Sequence, residues 1–206
     1  MKKTAKRPPG RPPLSETDTP KDQMILDTAT RLFIDLGYKN VSVDEIAEAC
    51  GVTKATVYYY FESKSNLFTE AMVRMMKHIL EKMIAILAQK KPLKERLYEV
   101  ILAHLKATQT IDIESFLRES ETALTPEERQ RMKRAEDELY EVIGKTIAEE
   151  MPSRLTAGIH PMFASQALVS LLKVGHYTRQ DGKRLFQSPE EAAQTIVDFY
   201  WNGMCR

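Results

Sequence analysis

Tyr58, Tyr59 and Tyr60 follow one another directly, with Lys54 and Thr56 just before them and Lys64 just after. Ammonium groups, hydroxyls and phenol rings in so short a stretch make no nucleophile motif and no metal cluster. They suit a surface that meets phosphate oxygens with its cations and hydroxyls and meets thymine methyl groups with its rings. The same tyrosines also fit an amphipathic packing role, because only Val57 and Phe61 around them are obvious core. At least one of them, Tyr58 or Tyr60 rather than Tyr59, is therefore expected to be partly buried.

The flanking residues predict what holds this surface. Ser42 with Glu45 three positions on has capping-box spacing, and Val43, Ile46, Ala47 and Cys50 then line one face of a short helix. Gly51 ends that helix by supplying the left-handed backbone of a sharp turn. Thr53 can cap a second helix over 54–61, with Val52 and Val57 at the spacing of a hydrophobic staple. Two short helices about a tight turn predict a helix-turn-helix whose second helix enters the major groove.

From about residue 28 to 68 the sequence resembles the N-terminal DNA-binding domain of the TetR family of bacterial transcriptional regulators. The resemblance is carried by Ala29, Phe33, Gly37-Tyr38, Val41-Ser42-Val43, Ile46-Ala47, Gly51-Val52-Thr53-Lys54-Ala55-Thr56-Val57-Tyr58, Phe61, Ser63-Lys64 and Leu67-Phe68. Ala55 stands where glycine is common in that family, a helix-favouring change. The resemblance implies that Ser42, Thr53, Tyr58, Tyr60 and Lys64 contact phosphates, while Lys54, Thr56 and Tyr59 read bases. It also implies an all-α chain, a three-helix helix-turn-helix domain joined to a C-terminal helical domain for ligand binding and dimerisation.

The remaining sequence agrees with that frame. With 206 residues, 43% of them hydrophobic, the chain has enough for a buried core in one or two domains. No apolar run reaches the length of a membrane span and no secretory signal opens the sequence, so a cytoplasmic location is expected. Cys50 and Cys205 have neither zinc-finger nor redox spacing and read as reduced thiols. Net charge is only +1, yet Lys2, Lys3, Lys6, Arg7 and Arg11 crowd the first 13 residues without an acid, which leaves the rest net acidic. Residues 1–20 are expected to form an extended basic arm. Its Gly10-Arg11-Pro12 resembles half of an AT-hook, with Pro9 where the first arginine of that motif belongs. Arg11 then either follows the adjacent minor groove or belongs to a solvated tail.

Beyond the arm, Ile25, Leu26, Ala29, Leu32, Phe33 and Leu36 form a helical stripe ended by Gly37. Ser63 caps a helix that runs to about 89 and changes its apolar face midway. Leu67, Phe68, Ala71, Met72 and Met75 share one face; Met76, Ile79, Leu80, Met83, Ile84 and Leu87 share the next. Such a helix serves two cores and is the natural lever between a DNA-binding domain over 21–68 and an effector-binding and dimerisation domain over 69–206. Further helices are expected from Pro92, from the Thr125-Pro126-Glu127-Glu128 capping box to about 151, over 162–178 and over 189–204, with a short apolar piece at 111–117.

The last helix carries apolar residues around roughly 200° of its wheel, too broad for a single contact. Either it sinks into its own domain or it shares a dimer interface with Phe163, Ala167, Leu171, Val174, Ile196, Val197, Tyr200 and Trp201. The resemblance favours the homodimer and implies an effector pocket among the central helices. Candidates there are Met76, Met83, His104, Phe116, Leu139, Lys173 and His176, although methionines at helical spacing equally make ordinary core. The histidines lack metal-ligand spacing, and no Gly-rich phosphate loop or nucleophile motif points to an enzyme, so neither metal nor cofactor is expected. The expected function is a dimeric repressor, released from a near-palindromic operator in double-stranded DNA by a small apolar or amphipathic effector. The alternative is a regulator or activator that is ligand-independent or controlled by a partner.

Overall fold

A computed structural model describes residues 20–109, 122–151 and 158–204. The basic arm with Arg11, the apolar piece containing Phe116, and Cys205 lie outside these residues. The described chain is helical, with no strand beyond an isolated bridge between Thr178 and Arg184.

The first unit is built from α1 (Lys21–Leu36), α2 (Val43–Ala49) and α3 (Lys54–Tyr60). Ile25, Ala29 and Phe33 of α1 are fully buried. Leu36, placed inward by the stripe, is half exposed, because α1 stops there at Gly37 and its last turn projects past the core. An aromatic cluster fills the centre. Phe33 and Tyr38 both set their rings edge-on to Phe68, with centroids 5.1 and 5.0 Å away. The capping box is formed as the sequence predicts. The Glu45 N–H donates to Ser42 Oγ at 3.1 Å, and the Ser42 N–H donates to Glu45 Oε2 at 2.6 Å. Gly51 takes φ +63°, the left-handed conformation that lets α3 leave α2 at a steep angle.

The next helix, α4 (Lys64–Leu87), belongs to both cores, as its rotating stripe predicts. Leu67, Phe68, Ala71 and Met72 join the first core, and Met83 and Leu87 the second. Ile79 and Ile84 are exposed instead of buried, since they stand beside the second stripe's centre line rather than on it.

The second core is completed by α5 (Leu93–Ala107), α6 (Pro126–Glu150), α7 (Pro161–Gly175) and α8 (Pro189–Met204). Leu97, Ile101, Leu105, Ile147, Leu168 and Val197 are among its most buried residues. At Gly144 a Cβ would stand 3.0 Å from the Pro161 carbonyl oxygen, so glycine there lets α7 begin directly against α6. The helix expected to reach 178 ends at Gly175, and the chain then doubles back, with the Leu185 N–H donating to the Tyr177 carbonyl.

The two cores are tied by α6 as well as α4. Leu124, just before α6, is buried in the first core, Met132 packs against that core, and Arg131 pairs with Glu70 of α4 at 2.6 Å. At the far end of α4 the buried Arg96 donates to the Leu87 carbonyl, an orphan acceptor of the helix terminus, at 2.5 Å and pairs with Glu150.

Candidate nucleic-acid interface

The outer face of the first unit is the exposed side of α3 with its caps. Thr53 accepts the Thr56 N–H at 3.1 Å, and the two hydroxyls lie 2.9 Å apart, so both side chains are held at the start of the helix. Lys54 projects from the first turn, its ammonium 2.7 Å from Asp44 Oδ2. Asp44 raises the pKa of that ammonium by hydrogen bonding and by charge.

Val57 is the buried anchor of α3, while Tyr58, Tyr59 and Tyr60 expose 45%, 81% and 41% of their surface. The expected order holds, with Tyr59 the most open, but none of the three is a core residue. Tyr59 and Tyr60 rest edge to face, centroids 5.0 Å apart, so each limits the other's rotation. Ser42 lies exposed at the start of α2. Lys64, at the first turn of α4, sets its ammonium 4.3 Å from the centre of the Tyr38 ring, a cation–π contact that orients it. Burial lowers its pKa and the nearby Glu45 charge opposes that shift. The eight described candidates therefore share one small unit, and Ser42, Thr53, Lys54, Thr56, Tyr59, Tyr60 and Lys64 are each placed by a cap, a ring contact or an ion pair. Asp44 joins this set without a motif to mark it. Its only sequence signal is an acid ten positions before Lys54, on the other side of the Gly51 turn.

The candidate effector residues fare differently. Met83 and Leu139 pack on the second core, Met76 is half-buried on α4, and Lys173 is exposed. His104 and His176 do meet: the Thr108 hydroxyl donates to the His104 carbonyl at 2.8 Å and lies 2.7 Å from His176 Nε2. Burial lowers the pKa of both rings, with the His176 charge adding to the effect on His104 and the Arg184 charge to that on His176. Beside them is a cavity of about 20 Å³ bordered by Leu105, Gly175, His176 and Arg184, room for one water. Among the described residues the proposed set does not line a single pocket, because its methionine and leucine side chains fill the core.

The interface candidates also divide. Phe163 and Val174 are exposed, and Ala167, Leu171 and Trp201 are partly buried. Ile196, Val197 and Tyr200 must be corrected: all lie in the chain's own core, and the Tyr200 hydroxyl donates to the Ala164 carbonyl at 2.9 Å. The exposed aromatic of α8 is instead Phe199, at 69%.

Among the described residues no group of histidine, cysteine or acidic side chains could hold a metal ion, and no helix is long and apolar enough to cross a membrane.

Residues 25–71 match the family model for bacterial regulatory proteins of the tetR family. A sequence relative, the HTH-type transcriptional regulator YhgD of Bacillus subtilis strain 168, is 29% identical over 119 residues, which cover 56% of this chain and 62% of that protein. The match thus spans less than two thirds of the relative's length. Among solved structures, a TetR/AcrR-family transcriptional regulator from Thermobifida fusca YX-ER1 is 26% identical with a TM-score of 0.65, covering 90% of this chain and 99% of that one. The transcriptional regulator FadR from Bacillus subtilis, solved with stearoyl-CoA, shares the fold at 20% identity and a TM-score of 0.71, over 88% of this chain and 98% of that one. Residues 25–71 therefore carry the DNA-binding domain of the tetR family of bacterial regulatory proteins, and the described helices as a whole share the fold of solved TetR-family regulators.

Proposed function

We propose that the chain is a homodimeric transcriptional regulator that represses by occupying a near-palindromic operator and leaves it when a small apolar or amphipathic effector binds. The observation that carries this is Tyr59, 81% exposed on a helix whose other side is anchored by the buried Val57. An aromatic ring so open adds little to folding, and with Lys54 and Thr56 beside it suits the edges of bases. Ser42, Thr53, Tyr58, Tyr60 and Lys64 flank it as phosphate contacts that fix register without reading sequence. Residues 21–68 form the DNA-binding domain and 69–206 the effector and dimerisation domain, with the basic arm, Arg11 included, alongside the duplex.

The effector acts through α4, which is rooted in both cores. It favours a conformation in which the two recognition helices of the dimer no longer match successive major grooves. For that it must bind the released conformation better, because equal affinity for both shifts nothing. A hundredfold loss of operator affinity requires about 2.7 kcal/mol of differential binding. The amphipathic acyl thioester bound by FadR suggests the chemical class to try first.

The test is selection of bound sequences from random duplex DNA by the purified protein at fixed moderate salt, alone and with long-chain acyl-CoA or a cellular metabolite extract. The expected result is a near-palindrome whose enrichment collapses on addition. A palindrome indifferent to every addition would move control to a protein partner, and no enrichment would remove the DNA-binding reading.

A further inference from the structure

Lys54 is the cation nearest the tip of the recognition helix, and in the free protein it is already engaged. Its ammonium stands 2.7 Å from Asp44 Oδ2, with the lysine side chain 51% and the aspartate 65% exposed. An ion pair so open contributes little to folding. The end of α2 does not depend on it either, since Ser42 and Glu45 already complete the capping box. What the pair changes is the recognition face. An unpaired lysine ammonium is a compact point charge that binds any phosphate it reaches, which adds affinity for all duplex DNA and no discrimination. Paired with a carboxylate, the same ammonium gains little by moving to a backbone phosphate, because one anion is exchanged for another. It gains more where the major groove presents two acceptors together, as guanine does with O6 and N7.

We propose that Asp44 is a specificity-determining residue, a carboxylate that holds Lys54 back from the phosphate backbone so that the lysine engages only where a base edge competes for it. The proposal rests on the reading of α3 as the recognition helix. Asp44 itself touches no DNA; it acts through Lys54, by disfavouring the wrong sites rather than by adding a contact to the right one.

The experiment compares D44N, K54M and the double variant with the wild-type chain, on the selected operator and on random duplex, across a salt series. Thermal unfolding is followed for all four to confirm equal folding. In D44N the lysine is free to take a phosphate, so random duplex should bind roughly fivefold tighter near physiological salt, with a salt dependence steeper by about one counterion. Operator affinity should rise much less, so the ratio of operator to random affinity falls. In the K54M background, D44N should leave random-duplex affinity unchanged. The proposal is overturned if D44N tightens random duplex equally in that background, which is what removal of a repelling charge alone would do. It is also overturned if operator and random DNA gain alike in D44N. Wild-type protein without any operator preference would overturn the recognition-helix reading together with the proposal, and that outcome is seen before any variant is compared.

Discussion

At the scale of single residues, the proposed complex assigns Lys64 and Tyr59 to two different kinds of DNA contact. Lys64, partly buried in the first turn of α4, is held by the Tyr38 ring, 4.3 Å from the centroid. In the proposed complex a cation at that root, away from the tip of α3, meets the phosphate backbone. Lys64→Ala is therefore expected to weaken operator and random duplex alike and to reduce the salt slope by about one. Tyr59 is 81% exposed, with the Tyr60 ring edge-on to its own, so Tyr59→Ala is expected to leave folding intact and to cost about 1 kcal/mol on the operator, with relaxed preference at one position per half-site. Competition binding on a panel of single-base operator variants distinguishes them. Equal losses on operator and random DNA for both variants would remove the base-reading role of Tyr59. Most of this surface was legible in the sequence because caps and staples act over three or four residues, and Ser42, Glu45 and Thr53 carry their partners at those spacings. The Asp44–Lys54 pair was not, because it bridges a turn whose angle no periodicity specifies.

At the scale of elements, α4 carries an internal cost. Thr69 is fully buried among residues of the first core, and its hydroxyl has no hydrogen-bond partner among the described residues. A buried hydroxyl left unpaired costs about 1–3 kcal/mol, whereas valine keeps the branched shape without the polar atom. Thr69→Val is thus expected to stabilise the protein by about 1 kcal/mol, a rise of roughly 2–4 °C in Tm for a chain of this size, read by thermal unfolding. A lower Tm would mean that the hydroxyl is satisfied. The double membership of α4 was visible in its stripe, since a change of face needs only the 3.6-residue period. That of α6 was not. Its charged sequence reads as a solvated helix, and the contacts that join it to the first unit, Leu124, Met132 and the Arg131–Glu70 pair, occupy only its first turns. Arg96 was hidden for a related reason: in the charged run Lys94-Glu95-Arg96 it reads as one more solvated cation, with no sign that it will cap the end of another helix, as it does at Leu87.

At the scale of the whole molecule, assembly depends on which side of the last two helices the chain's own core leaves uncovered. The apolar arc of α8 was too wide for one contact, but width alone does not say which sector the chain's own core takes. The core takes Ala192, Ala193, Ile196, Val197, Tyr200 and Met204, and leaves Phe199 outside. On α7 the outward residues Phe163 and Val174, with Ala167 between them, follow the i, i+4, i+11 rhythm of one stripe. In the proposed dimer these residues face a second copy, and an isologous contact presents each of them twice about a two-fold axis. A charge introduced there is consequently introduced twice, close to its own image. Phe199→Glu is expected to yield a monomer in light scattering at concentrations where the wild-type chain is a dimer, with little change in Tm because the side chain is already 69% exposed. Operator binding would fall much further than binding to random duplex, since a single helix-turn-helix reads one half-site and loses the spacing information that two recognition helices share. A Phe199→Glu protein that stays dimeric would place the interface elsewhere. If it became monomeric with operator preference undiminished, the demand for a palindrome would go, and with it the idea that an effector works by changing the distance between two recognition helices.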